Sequence, residues 1–468
     1  MDIRKIIEDD LVSFNNKDYI FEKVDGVYSP IKFNDFIAKS KSFATYLVKK
    51  GLKNQIVILI GKNSINLMAA DIAVTFYTGT CASMALGVSA DDIGDAINSL
   101  GAKAVLYTSE QSEKISQIQT DVLKINLDEL LPTLSEINED WKEYNPDECA
   151  KIIFTGGSTS KPKGVKLSLK NIFFGWEPLK RRAEFKITDI MYFFLPLSHT
   201  YADIYIFYYS LISGLTLYIC SDTAKIGEEL REVRPTIFCA VPLIYERIAE
   251  AYHNDVSQAF GDRVRFLFAG GAPIKDELKK IYKDAGLEIL NAYALTETAS
   301  SFAIDYPGDT DTDSVGAVFE ELDVKTIDTD ENGVGEICVK GDCVSIGYTT
   351  PVLNVFTDDG YFKTGDLGYV KDDKLYIVGR KKKVLIGDNG ENIYVSDIQA
   401  KLRKMDPNIN FVRLSLKDDK LDALFFLQNP EKTNLDELVA NYNKDCERKN
   451  LIATYELSDK QNYEKLVS

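Results

Sequence analysis

A chain of 468 residues is too long for one ordinary core, so a large domain built of subdomains and a smaller second domain are expected. Its 45% hydrophobic and 27% charged residues describe a globular protein with ample core material. A net charge of −17 argues against a general nucleic-acid binder, so any polyanion it binds must be held by a local cluster of cations and N–H groups.

The opening MDIRKIIEDDLVSF is acidic and has no apolar run, so no signal peptide is expected there. Apolar runs then alternate with helical patterns. QIVILIG (55–61) reads as a buried strand, followed by an amphipathic stretch through Met68, Ile72 and Phe76. Ser89–Ser99 reads as a helix and AKAVLYT (102–108) as a strand. Further strands are predicted at Ala150–Thr155, Leu215–Ile219, Thr236–Val241, Arg265–Ala269 and Glu288–Asn291. Strands and helices in alternation predict an α/β fold with largely parallel sheets.

The uncharged stretch Ile204–Cys220 is short for a bilayer span and rich in Tyr, Ser and Gly, so a buried helix followed by a buried strand is the reading. From about Ser314 the segments become short strands split by Gly and Asp, which predicts an antiparallel, barrel-like subdomain. The basic run Arg380–Lys383 marks the expected boundary between domains at 1–380 and 381–468, and FVRLSL with DALFFLQ predicts a strand pair in the second. Seven Cys without a CxxC pair and only two His give poor support for a zinc site and fit reduced thiols in a cytosol.

The chemistry concentrates in IIFTGGSTSKPKGVKLSLKN (152–171). A β-run ends in a loop of Gly, Ser and Thr followed by Lys161 and Lys163. Small residues let a backbone approach an anion, hydroxyls and N–H groups donate to phosphate oxygens, and lysines neutralise charge. The spacing is not that of a Walker A loop, and no strand is followed by GxGxxG. Taken alone, the segment is equally a solvated glycine-rich turn.

Other segments decide between these. Thr155–Gly164 is similar, at every place but one, to the phosphate loop of the adenylate-forming superfamily, which comprises acyl-CoA synthetases, carrier-protein adenylation domains and luciferases. LPLSHTY (195–201), AVPLIYERI (240–248), AGGAPI (269–274) and NAYALTETAS (291–300) resemble its next segments, in its order. GEICVKGDCVSIGY (335–348), GYFKTGDLGYV (360–370) and GRKKKVLIGDNGENIYVSDI (379–398) resemble the later ones. The resemblance covers almost the whole chain. It implies two α/β subdomains plus a β-barrel-like one in a large N-terminal domain, and a small mobile α+β C-terminal domain.

It also implies roles. Thr155, Ser158, Thr159 and Lys163 would hold the β- and γ-phosphates of ATP. Gly271, Ala272 and Pro273 would face Tyr293 across adenine, with Asn291 reading the exocyclic amine. Thr296 would touch the α-phosphate and Glu297 would hold Mg²⁺. Asp366 and Arg380 would take the ribose, and Lys465 near the C-terminus would reach the reacting carboxylate. Each has a plain alternative: Tyr293 as a core aromatic, Glu297 as a helix-start acid, Asp366 as a turn residue.

Three departures from the family pattern stand out: Ser160 and Ala294 replace glycines, and Glu464 stands where a glycine precedes the terminal lysine. A side chain at a position requiring φ > 0 would be strained by roughly 1–2 kcal/mol. The implied reaction is attack of a carboxylate on the α-phosphorus of ATP, release of pyrophosphate, and transfer of the acyl group to a thiol. A hinge at Lys382 would then rotate the small domain and present Gly390, Glu391 and Asn392.

The acyl pocket is expected from His199, Tyr201, Val241, Gly270 and Val315–Gly316. The resemblance to bacterial fatty-acyl synthetases favours a fatty or other apolar acid. An amino acid is disfavoured because Tyr201 stands where a pairing Asp is needed, with Asp203 two places on. CoA is the first choice of acceptor, a carrier-protein phosphopantetheine the second, and a non-catalytic nucleotide-binding relative the third reading. A cytoplasmic protein is expected, with peripheral membrane contact left open.

Overall fold

The structure is a computed structural model that describes every residue except 1, 9, 15, 156–162, 300, 310–312, 332, 382–383, 387–391, 418–419, 445, 447–449 and 459–468. The chain divides into two compact units, Met1–Asp323 with Lys340–Val355, and Val324–Val339 with Phe356–Ser468.

In the first unit two sheets pack through a shared helical layer. One runs, in spatial order, through Ala317–Val318, Ser301–Ile304, Ile289–Ala294, Phe266–Gly270, Ile237–Ala240, Ile190–Phe193, Thr216–Ile219, Asp18–Val24 and Val27–Lys32. From Ile289–Ala294 to Asp18–Val24 the neighbours are parallel, and the edges are antiparallel. The other runs Gly347–Tyr348, Lys163–Ser168, Cys149–Thr155, Thr80–Ser83, Ile56–Ile60, Ala104–Tyr107 and Leu123–Asn126, parallel from Cys149–Thr155 onward.

Alternation along each strand sends residues to opposite faces, and the cores follow it. Val57 and Leu59 join the large central cluster, while Ile58 and Ile60 pack outward against Ile93 and Ile97. On the first sheet Ile237 and Cys239 face the centre, and Phe238 and Ala240 face Leu230 and Tyr245. The result is five layers, helix–sheet–helix–sheet–helix. Local signals set the helices: Ala90–Leu100 starts on a Ser89–Asp92 capping box and stops at Gly101 with φ +64°. Pro242, which lacks a donor the first turn would leave unpaired, opens Pro242–Ala251.

The seven strands predicted before Ser314 are present, six of them within two residues at either end, while Glu288–Asn291 runs three residues further, to Ala294. Among the strands absent from the sequence reading are the short Thr80–Ser83, Leu123–Asn126 and Ile190–Phe193, and the longer Asp18–Val24, Val27–Lys32 and Lys163–Ser168. Met68, Ile72 and Phe76 are fully buried in a helix that passes from α to π geometry at Ala73, and all its residues from Leu67 to Thr78 are buried. Ile204–Cys220 holds the expected helix, π-type over Tyr201–Tyr208 and α over Tyr209–Ser213, followed by a buried strand. Among the described residues no helix is long and apolar enough to cross a membrane. All seven Cys are free, and no cluster of metal-ligating residues occurs among the described residues.

In the second unit Gly335–Lys340, Phe362–Lys371 and Lys374–Arg380 form antiparallel pairs. Ile409–Lys417 and Lys420–Leu427 pair as predicted, with Ile452–Leu457 added in parallel. The helices Val395–Met405 and Leu435–Lys444 close a separate core from Ile393 to Ile452.

Candidate active site

In open α/β sheets, ligands gather outside the carboxyl ends of parallel strands, where chain ends, helix starts and backbone donors converge. The sheet of the first unit delivers four singled-out segments to that edge. Ile190–Phe193 leads to His199 and Tyr201, Ile237–Ala240 to Val241, Phe266–Gly270 to Gly271–Pro273, and Ile289–Ala294 to Thr296–Glu297. Register fixes their depth: Ala240 lies beside Ala269, Ala269 beside Asn291, and Gly270 beside Ala292.

The residues expected to face adenine are Asn291, Tyr293 and the turn Gly271–Pro273. Asn291 is buried, and its backbone is held by Asp305, whose carboxylate accepts from Asn291 N–H at 2.8 Å. Burial raises Asp305 to about 6, against the pull of Lys279. Tyr293 is half-buried and meets Phe302 edge-on at 5.0 Å between ring centroids. Gly271 has φ +82°, which favours glycine, and Ala272 and Pro273 are exposed. Ala294 continues its strand in extended conformation, so the replacement of the family's glycine there costs no left-handed strain. The strained position is Ala299, at φ 55° and ψ −45°, directly after the Thr296–Thr298 turn.

Glu297 is half-buried on that turn. The Tyr348 hydroxyl donates to its Oε1 at 3.0 Å, and its backbone carbonyl accepts from Ser345 N–H at 2.8 Å. Tyr348 in turn pairs with Val165 on the strand that leaves the phosphate loop, and Thr349 exchanges hydrogen bonds with Gly164 at 2.8 and 3.2 Å. Thr155 and Lys163 face each other at the base of that hairpin, with the Thr155 hydroxyl donating to the Lys163 carbonyl at 3.3 Å. The acid and the phosphate hairpin are therefore tied through Tyr348. Ser158, Thr159 and Ser160 lie outside the described residues, as do Lys382, Gly390, Glu391, Glu464 and Lys465.

At the residues expected to line the acyl pocket, His199 Nδ1 accepts from Tyr201 N–H at 3.2 Å, and desolvation by the surrounding protein lowers its pKa. The Tyr201 hydroxyl donates to the Phe268 carbonyl at 2.9 Å, which lays its ring against Gly270, 3.7 Å from where a Cβ would stand. A Cβ at Gly271 would touch Val241 at 3.5 Å. Gly316, at φ +104°, lies so close to Ile304 that a Cβ would fall 2.2 Å from its carbonyl carbon. Asp203 points elsewhere. It is fully buried beside Lys151 at 2.5 Å, so the carboxylate two places after Tyr201 is already taken.

In the second unit, Asp366 and Arg380 face each other on adjacent strands, with Arg380 Nε 2.7 Å from Asp366 Oδ1 and the carboxylate buried.

Three residues without an assigned role shape the site. Tyr348 carried a sequence signal, an aromatic after Gly in a quoted segment. Asn63, after the strand Ile56–Ile60, clamps the His199 segment by donating to Leu195 O at 2.8 Å and accepting from Leu197 N–H at 3.0 Å. Arg182 donates to the carbonyls of Ile304, Ala317 and Val318 at 2.5–2.8 Å between the rings of Tyr306 and Phe319, fixing the strands around Gly316.

A family model described as AMP-binding enzyme matches residues 15–349. A long-chain-fatty-acid–CoA ligase of Rattus norvegicus is 23% identical across 88% of this chain and 75% of its own length. A 2-succinylbenzoate–CoA ligase of Bacillus licheniformis is 30% identical across 62% of this chain and 60% of its own. Among solved structures, o-succinylbenzoate CoA synthetase of Bacillus subtilis with its acyl-adenylate intermediate superposes with a TM-score of 0.84 at 21% identity, covering 97% of this chain and 94% of that one. ATP-bound MatB of Rhodopseudomonas palustris gives 0.86 at 20%, covering 98% and 95%. The fold is shared with both. Matched by that model over more than half its length, the chain belongs to the AMP-binding enzyme family.

Proposed function

We propose that this protein is an AMP-forming acid–thiol ligase, which joins an apolar carboxylic acid to ATP as an acyl-adenylate and passes the acyl group to CoA. The observation that carries the reading is the convergence of the His199, Val241, Gly271 and Glu297 segments at one sheet edge, with Glu297 tied to the phosphate hairpin. Family membership and the activities of the relatives support it.

A half-buried carboxylate beside a threonine suits Mg²⁺, which is usually held by one or two carboxylates and the substrate's phosphates. Mg²⁺ held at Glu297 would supply charge neutralisation. The chain does the rest. Thr155, Ser158, Thr159 and Lys163 bind the β- and γ-phosphates, and Thr296 orients the α-phosphate. Gly271–Pro273, Asn291 and Tyr293 hold adenine, and Asp366 with Arg380 holds the ribose. A carboxylate oxygen then attacks the α-phosphorus as the bond to pyrophosphate breaks, with Lys465 screening the charge between them.

In the second step a thiolate attacks the acyl carbonyl and AMP leaves. A hinge at Lys382, at the 380/381 boundary, exchanges the faces of a small lid domain between the two steps. Neither step needs His199 as a proton carrier. The capture of Asp203 by Lys151 removes the nearest carboxylate that could pair an α-amine and favours an apolar acid.

The acceptor is tested by supplying CoA or a holo-carrier protein with ATP and an acid panel, and weighing the products. An acyl-CoA is expected. Loading of the carrier alone would make the protein an adenylation enzyme for carrier-bound thiols. ATP binding with no acyl product on either thiol would leave a non-catalytic relative.

A further inference from the structure

The wall behind Tyr201 bears on which apolar acid fits. From Tyr201 a run of aromatic rings descends between the helix Tyr201–Ser213 and the sheet. Tyr201 meets Tyr205 at 5.5 Å between centroids, Tyr205 meets Tyr209 at 5.7 Å, and Tyr209 meets Trp176 at 5.5 Å. On the sheet side Tyr205 packs edge-on against Phe268 at 5.7 Å. Below the half-buried Tyr201 these rings are 0–7% exposed.

The rungs on either side of Tyr205 are anchored, while Tyr205 itself is held by packing alone, its buried hydroxyl having no hydrogen-bond partner among the described residues. Tyr201 bonds to Phe268 O, and the Tyr209 hydroxyl donates to Ile172 O at 3.2 Å. Swinging either ring aside would break a buried hydrogen bond. The other way inward, past Gly316, is closed by backbone, since Gly316 lies against Ile304 and Arg182 fixes both strands. The mouth is roomier, with nothing nearer than Val241 at 3.5 Å to a Cβ placed on Gly271. A site open at the mouth and shut below accepts a flat group lying on Tyr201, where ring packs against ring. A long alkyl chain gains affinity by burying methylenes, roughly fourfold for each one, and here most of them would remain in water.

We infer that the acid is an aryl carboxylic acid, and that Tyr201 and Tyr205 are the specificity-determining residues that exclude long alkyl chains. This rests on the ligase reading above and narrows its substrate.

The test is acid-dependent exchange of labelled pyrophosphate into ATP, with benzoic and phenylpropanoic acids, hexanoate and decanoate, on the wild type and on Tyr205→Val. Wild-type kcat/KM is expected to be at least thirtyfold higher for the better aryl acid than for decanoate. Tyr205→Val should narrow that ratio at least tenfold by opening the ladder, and Tyr201→Leu provides the same readout should the first variant not fold. Decanoate or hexanoate matching the aryl acids in the wild type would overturn the aryl assignment while leaving the ligase reading standing. Silence with every acid, in protein shown by calorimetry to bind ATP, would overturn the ligase reading and this inference with it.

Discussion

Glu297 and Tyr348 are 51 residues apart in sequence, yet the Tyr348 phenol donates to Glu297 Oε1, the carboxylate proposed for Mg²⁺, at 3.0 Å. Losing a hydrogen bond to a charged group costs about 1.5–3 kcal/mol when the bond is fully formed and buried, and less on a half-buried turn. Tyr348→Phe is therefore expected to weaken Mg²⁺ about three- to tenfold, read by Mg²⁺ titration of exchange and by Mn²⁺ binding in the presence of ATP. Acid KM should stay put. Unchanged metal binding would show that Tyr348 merely packs there.

Asp305, raised to about 6 by burial, gives a pH signature. The unfolded carboxyl titrates near 4, so between pH 4 and 6 the folded state holds a proton the unfolded chain has lost. Stability from this residue is therefore greatest below pH 4 and falls as pH rises to 6, by on the order of 2–3 kcal/mol. Urea unfolding at pH 4.5 and 7.5 should show a smaller loss in Asp305→Asn than in the wild type; equal losses would reject the assignment. The loop residues of the site were legible because their chemistry is local. Asn63 and Arg182 were not, because each acts on partners about 120 to 140 residues away.

The elements are bound by a buried ionic cluster as well as by apolar packing. Lys151, on the strand Cys149–Thr155, meets Asp71 from the helix Ile65–Ile72 and Asp203 from the π-helix Tyr201–Tyr208, all at 0% exposure. Burial pulls the Lys151 ammonium down, and the two carboxylates more than reverse it. Burial pushes Asp203 well above the carboxylate range, with Lys151 opposing and Asp71 reinforcing. Asp71 also accepts from Tyr208.

Asp203→Asn leaves Lys151 paired with Asp71, which also accepts from Tyr208, and is expected to cost the least of the three substitutions. Lys151→Met and Asp71→Asn should each cost about 3–5 kcal/mol, since they leave a buried charge or several donors unpaired. Denaturant midpoints check the ordering, and equal costs for Asp203 and Asp71 would refute it. Such a cluster is invisible in sequence, where each residue sits in a different apolar run. The missed strands have a related cause. TCAS at 80–83 and LKIN at 123–126 are four residues each, too short to show alternation, and become strands through their parallel neighbours.

Over the whole chain, the order of the motifs made the fold legible, since βα units with a texture change near Ser314 leave few architectures. The division of the chain was less so. The strands Phe362–Lys371 and Lys374–Arg380, read as part of the larger domain, group with the second unit. Gly- and Asp-split strands look alike on either side of a boundary, and a basic run such as Arg380–Lys383 marks a change of charge rather than of packing.

The proposed adenylation needs an acid, ATP and Lys465 together. Exchange of labelled pyrophosphate into ATP, with and without an acid panel, in the wild type and in Lys465→Ala, tests it most directly. The account predicts exchange that depends on an acid and falls about a hundredfold in the variant, the scale of losing one charge-stabilising group at a reacting centre. ATP bound but never exchanged, whatever acid is supplied, would contradict it.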